Sequence, residues 1–87
     1  IRNYIYLGHG ERMDEKGLPV ITQRNKFCVG DEIEIMKPDG RNIPVLVQAI
    51  YDENGNAMDS APHPKQELHL VLSKKMEIFD ILRKRQE

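Results

Sequence analysis

His63 and Lys65 stand on either side of Pro64 in the segment Ser60-Ala61-Pro62-His63-Pro64-Lys65-Gln66, where two prolines stiffen the backbone and restrict the residue before each. An imidazole and an ammonium displayed on so rigid a segment lose little entropy when they meet a phosphate or a carboxylate. The same prolines equally suit a plain surface crossing of a barrel, with His63 packing or hydrogen-bonding locally, and the residues alone leave both readings open. Arg24, Lys26 and Arg41 would extend the first reading to a phosphate backbone, with Tyr4, Tyr6 and Tyr51 as stacking surfaces for bases. Tyrosines of small barrels otherwise serve as packing residues with a wet hydroxyl.

Other chemistries find less support. Asp52-Glu53-Asn54-Gly55-Asn56 is superficially like a calcium loop, but Ala57 occupies the sixth position where glycine is needed and His63 the twelfth where glutamate is needed, so a hairpin turn is expected instead. His9, His63, His69 and Cys28 are the only soft metal ligands, and none falls at the paired spacing that puts two on one ion. Nucleophilic catalysis through Cys28, Ser60 or Ser73 would need an adjacent base and an orienting third group, for which no local signature exists. Cys28, between Phe27 and Val29, reads as a small core or near-core residue, and as the sole cysteine it excludes an internal disulfide.

The elements that must position these residues follow from pattern. Residues 2–7 alternate Asn3, Ile5 and Leu7 against Arg2, Tyr4 and Tyr6, which predicts a first strand, and the polar, glycine-bearing residues 8–17 predict a loop. Residues 18–25 predict a second strand with Pro19 near its start. Gly30 and Asp31 then supply a turn, and Ile33 and Ile35 alternate with Glu32 and Glu34, so a register slip of one residue would bury both glutamates. Pro38-Asp39-Gly40 predicts a hairpin into a long strand over residues 42–52, with Ile43, Val45, Val47 and Ala49 on one face and Leu46 and Ile50 on the other. Asn54-Gly55 predicts a tight reversal, residues 56–58 a brief pairing, and residues 67–72 a strand with Leu68, Leu70 and Leu72 inward and Glu67, His69 and Val71 outward. After Met76 the pattern fits either a helical turn or a last strand over residues 80–83.

Composition bounds the function. The chain has 87 residues, 31% charged and 39% hydrophobic with no tryptophan, the profile of one small soluble domain that buries about 60 to 65% of its unfolded surface. Thirteen basic against fourteen acidic side chains leave a net charge of -1, which removes bulk attraction to nucleic acid but not a local basic patch. Arg83, Lys84 and Arg85 read as a solvated chain end. No apolar run approaches the roughly 20 residues of a membrane span. Because it opens at Ile1 with no leader, the chain reads as a piece of a longer protein.

One resemblance draws these features together. Gln23-Arg24-Asn25-Lys26-Phe27, Val29-Gly30-Asp31-Glu32-Ile33-Glu34-Ile35-Met36, Pro38-Asp39-Gly40-Arg41, Ile50-Tyr51-Asp52, the segment from Ser60 to Gln66 and Phe79-Asp80-Ile81-Leu82-Arg83 together resemble the C-terminal domain of the collagenase-like peptidase family U-32, over about residues 2–83. The resemblance implies a bacterial, cytoplasmic parent whose catalytic part is a separate, larger domain. It implies a peptidase-like protein, with members that hydroxylate transfer or ribosomal RNA and depend on an iron-sulfur cluster. Cys28 alone cannot supply four thiolates, so that cluster is expected in the parent domain and no cofactor in this chain. The strand entry at Gly30-Asp31 also resembles the second-domain barrel of translation elongation factors. Residues 1–87 are therefore expected to be one all-β accessory domain, an open or distorted barrel of five to seven short strands, itself without catalysis. It would contact a macromolecular substrate, RNA or protein, through Arg24, Lys26, Arg41, His63 and Lys65, with the parent's catalytic domain as its other partner. The rival reading is a structural module that packs on that domain or mediates self-association.

Overall fold

Apolar and polar side chains alternate through much of the chain, and the computed structural model, which describes residues 3–86, answers with strands and no helix. Among the described residues these are β1 (Asn3–His9), β2 (Arg12–Met13), β3 (Pro19–Thr22), β4 (Glu32–Met36), β5 (Asn42–Tyr51), β6 (Ala57–Met58), β7 (Glu67–Leu72) and β8 (Ile81–Gln86). The eight strands exceed the expected five to seven because β2 and β6 are two-residue pairings at the rims of hairpins. All ladders are antiparallel in the order β1-β8-β4-β5-β7-β3-β2, with β6 added to β5. β1 and β3 meet without a ladder, linked by the Arg24 amide donating to the Leu7 carbonyl at 2.9 Å and by Asn25 Nδ2 donating to the Tyr6 carbonyl at 2.7 Å. The sheet therefore curls into an open barrel, as the resemblance implied.

One core fills it. Ile33 and Ile35 of β4 point inward and Glu32 and Glu34 outward, and Leu68 and Leu70 of β7, Ile21 of β3, Leu82 of β8 and Phe27 complete the cluster. Each such fully buried side chain contributes about 1.5 to 3 kcal/mol. The turns take the expected form: Gly30 and Gly40 both adopt φ of 94°, and the Asp31 carboxylate accepts the Cys28 amide at 2.9 Å.

Several expectations need correction. In β5 a bulge between Val47 and Ala49 shifts the phase, so Ile50 joins Val45 and Val47 in the core while Leu46 stays 44% exposed. In β1 a bulge between Tyr6 and Gly8 buries Leu7 and carries the strand on to His9, and the supposed loop that follows contains β2. The second strand ends at Thr22, because Gln23 turns to pair with the 65–66 backbone. The open choice after Met76 resolves as a strand, β8, and it is no chain end: it lies between β1 and β4 and pairs with both. Arg83 is therefore flanked by a strand on each side, while Lys84 and Arg85 pair with β1 alone and Arg85 stays exposed, so the three belong to a strand and not to an unpaired tail. Arg2, expected in the first strand, lies outside the described residues.

Candidate nucleic-acid interface

Two loops distant in sequence interlock at one rim of the barrel. The 23–26 loop leaves β3 and the 61–66 loop enters β7, and because Thr22 pairs with Glu67 the two must run side by side. Gln23 is the strut: its amide donates to the Gln66 carbonyl at 2.8 Å, its carbonyl accepts the Lys65 amide at 3.0 Å, and its Nε2 donates to the His63 carbonyl at 3.2 Å. Its own Oε1 and that of Gln66 are buried without a donor among the described residues. The strut ties the loop that carries Arg24 and Lys26 to the loop that carries His63 and Lys65, and all four side chains are exposed. None of the three cations among them forms an ion pair within the described residues, whereas Arg12, Lys37, Arg41, Arg83 and Lys84 each hold a carboxylate. Lys65 is one of two non-glycine residues at positive φ among the described residues, 59°, a conformation that costs on the order of 1 kcal/mol and is kept by the surrounding bonds.

Arg41 is not brought to this group. It lies in the β4–β5 turn, where its Nε donates to Asp39 at 2.8 Å and its carbonyl accepts the Lys37 amide. Beside it sits a second, tightly built rim. Lys37 Nζ donates to buried Asp80 at 2.6 Å and to Glu77 at 3.1 Å, and Asp80 also accepts the Glu77 amide at 2.9 Å. The hydrogen bond to Asp80 outweighs burial and holds the Lys37 ammonium above its usual range. Gly10 clasps the same turn, giving its amide to the Asp80 carbonyl and taking the Phe79 amide, each at 2.8 Å, and a Cβ on Gly10 would lie 2.5 Å from the Glu77 carbonyl oxygen. The result is Phe79 at φ 72° with its ring 73% exposed, flanked by exposed Ile78 and Ile81. Composition gave no sign of this display, since apolar residues there fit a buried helix or strand equally well.

An open cleft of about 430 Å³ lies elsewhere, lined by Asp14, Leu18, Tyr51, Asp52 and His69 among others. His69, expected to face outward from β7, is covered by the 14–18 loop, with Nδ1 2.7 Å from Asp14 and Nε2 3.1 Å from Glu67. Burial opposes its charged form, but the two carboxylates prevail and raise its pKa, while the hydrogen bond from His69 holds Asp14 below the usual carboxylate range. Asp14 also accepts the Lys16 and Leu18 amides, and Glu67 pairs with Arg12, so neither ring nitrogen is left to act as a base. Tyr51 belongs to this cleft, apart from Tyr4 and Tyr6. Ser73 Oγ is occupied by the Leu46 amide, and Cys28 is half-buried in an isolated bridge with Ser60. One thiol so placed does not fit a four-thiolate cluster, and among the described residues no group of three histidines, cysteines or carboxylates converges as metal ligands.

Comparison with known proteins follows this geometry. Residues 2–83 match the model of the peptidase family U32 C-terminal domain. The chain is 35% identical over 71 residues to tRNA hydroxylation protein P1 of Bacillus subtilis (strain 168), a match covering 82% of this chain and 17% of that protein, so the chain spans about a sixth of the relative's length. Two crystal structures of the C-terminal domain of a Geobacillus thermoleovorans protein assigned as a U32 peptidase superpose with a TM-score of 0.77. The selenomethionine variant is 31% identical, covering 92% of this chain and 99% of the other, and the second is 28% identical, covering 94% and 92%.

Proposed function

The chain belongs to the U32 peptidase C-terminal domain family, and on that premise we propose that it is a non-catalytic accessory module that grips RNA phosphates through Arg24, Lys26, His63 and Lys65 for a larger parent enzyme. The observation that carries this reading is the pair of loops interlocked by Gln23, which display three cations that form no ion pair among the described residues. Ion-paired cations give up an existing partner when they meet a phosphate, and unpaired ones do not. The name of the Bacillus subtilis relative supports transfer RNA as the macromolecule, and hence a cytoplasmic setting. Chemistry, and any iron-sulfur cluster, belongs on this reading to the rest of the parent, because the His69–carboxylate network is saturated internally and the chain has a single thiol.

Binding of transfer RNA by the chain, followed across a salt series, tests the proposal. Affinity falls with salt, and replacing Arg24, Lys26 and Lys65 together with alanine lowers the slope of log K against log salt by about one for each cation removed. An unchanged slope and affinity in the triple variant defeats it. The exposed Phe79, Ile78 and Ile81 favour a second reading, in which the domain packs its apolar turn against the remainder of the longer protein.

A further inference from the structure

Placing β8 between β1 and β4 creates a surface that lies outside the loop cluster. Cross-strand partners share a face, and the register sets Tyr4 opposite Arg85 and Tyr6 opposite Arg83. These four side chains therefore form one patch on the outer face, alternating aromatic and guanidinium across two hydrogen-bonded strands. Tyr6 is 41% exposed, and its hydroxyl is held 2.9 Å from His9 Nδ1, which fixes the ring. The Arg83 guanidinium lies 3.7 Å from the centre of the Tyr4 ring while its Nε donates to Glu34 at 2.9 Å, so one face of Tyr4 is already stacked and Arg83 is partly neutralised. Arg85 is exposed and unpaired among the described residues. Asn25 Nδ2 holds the Tyr6 carbonyl and the Arg24 amide holds that of Leu7, so the basic 23–26 loop abuts this patch.

We propose that the β1–β8 face is a platform for unpaired RNA nucleotides, with Tyr6 stacking a base, Arg85 meeting phosphate, and the 23–26 loop continuing the backbone track. The inference rests on the reading of the loops as an RNA contact and narrows its ligand. A duplex keeps the π-faces of its bases inside the stack, and the outer face of a sheet presents no protruding element to enter a groove. A single strand can lay its bases on an exposed tyrosine while neighbouring cations follow its phosphates. The charge around the platform is mixed but mainly basic: Glu34 is engaged by Arg83, Glu32 is exposed on the same outward face of β4, and the patch and its adjoining loop display Arg24, Lys26 and Arg85 without carboxylate partners among the described residues.

The test compares a short unstructured single-stranded RNA with an RNA hairpin of equal length whose fully paired strands are joined by a non-nucleotide linker, so that no base is unpaired, using the whole 87-residue chain and reading affinity together with quenching of tyrosine fluorescence, which no tryptophan obscures. The single strand binds more tightly and quenches. Tyr6→Ala weakens single-strand binding about 10-fold and leaves hairpin binding unchanged, and Tyr6→Phe restores it, since the ring and not the hydroxyl stacks. Arg85→Ala, at an exposed position that needs no repacking, lowers the single-strand salt slope by about one. Equal or tighter hairpin binding, or single-strand affinity indifferent to both Tyr6→Ala and Arg85→Ala, overturns the platform while sensitivity to Arg24, Lys26 and Lys65 leaves the loop reading intact. Absence of salt-sensitive binding to either RNA overturns both.

Discussion

Two rims of this barrel use charge in opposite ways. At the rim built from Lys37, Glu77, Asp80 and Gly10, every charge closes on another within the protein, and the His69–Asp14–Glu67–Arg12 chain behaves alike. At the rim built from the 23–26 and 61–66 loops, the hydrogen bonds run between backbone and Gln23, and the charged groups are left facing water. A closed charge network fixes geometry, and an open one is available to a ligand. In a chain with net charge -1, total charge says little about partners, and the pattern of pairing says more. Both rims hold a non-glycine residue at positive φ, Phe79 on the closed one and Lys65 on the open one, so each spends backbone strain on presenting a side chain.

The contrast breaks first, if it breaks, at Asp80. Asp80→Ala removes the buried one of the two carboxylates that hold Lys37, leaves the nearly buried ammonium with only the exposed Glu77, and frees the Glu77 amide. A loss of about 3 kcal/mol in denaturant unfolding is expected, because the buried half of the network is broken and Glu77 compensates from the surface only in part. RNA affinity measured below the unfolding transition should not change. A large drop in affinity with intact fold would show that the two rims are coupled and that the division between scaffold and contact is false.

His69 gives a smaller effect with a pH signature. Its folded pKa is raised above the ordinary 6.5, so its contribution is fully present below 6.5 and is lost as pH rises through the folded value. Asp14, lowered from 3.8, contributes above 3.8 and loses that contribution as pH falls through its own folded value. Melting temperature should therefore decline on the alkaline side of 6.5 in the parent sequence. In His69→Gln that decline should flatten, with a loss of about 1.5 kcal/mol between the two titrations, just below pH 6.5. A parallel decline in both proteins would assign it to other groups.

What the sequence made legible follows from range. Turn residues act locally, so Gly30-Asp31 and Pro38-Asp39-Gly40 and the inward faces of β4 and β7 could be read directly. The bulges after Tyr6 and Val47 could not, because a phase shift is set by the partner strand and leaves no mark in the alternation. The same limit governed the site. His63 and Lys65 were visible through their prolines, but the joining of their loop to the one that carries Arg24 and Lys26 depends on the pairing of Thr22 with Glu67, forty-five residues on. Arg83 and Arg85 looked like a frayed end because nothing local shows that β8 enters the middle of a sheet. The alternation of Ile81 and Arg83 about buried Leu82, set beside that of Tyr4 and Tyr6, was the available signal.

Arg41 supplies the finest test of the contrast, since it matches Arg24 in charge and exposure and differs in pairing and place. Its guanidinium is held by Asp39 two residues away, in a turn whose shape is already set by Gly40 and by the Asp39 carboxylate accepting the Arg41 amide. Arg41→Ala removes an exposed pair in the high dielectric of the surface, so the unfolding midpoint should stay where it is. RNA affinity and its salt slope should also stay within error, while Arg24→Ala, an equal change in net charge, lowers both. Equal losses in the two variants would mean that RNA responds to the domain's overall field and not to the unpaired loops, and the open rim would then lose its claim to be the contact.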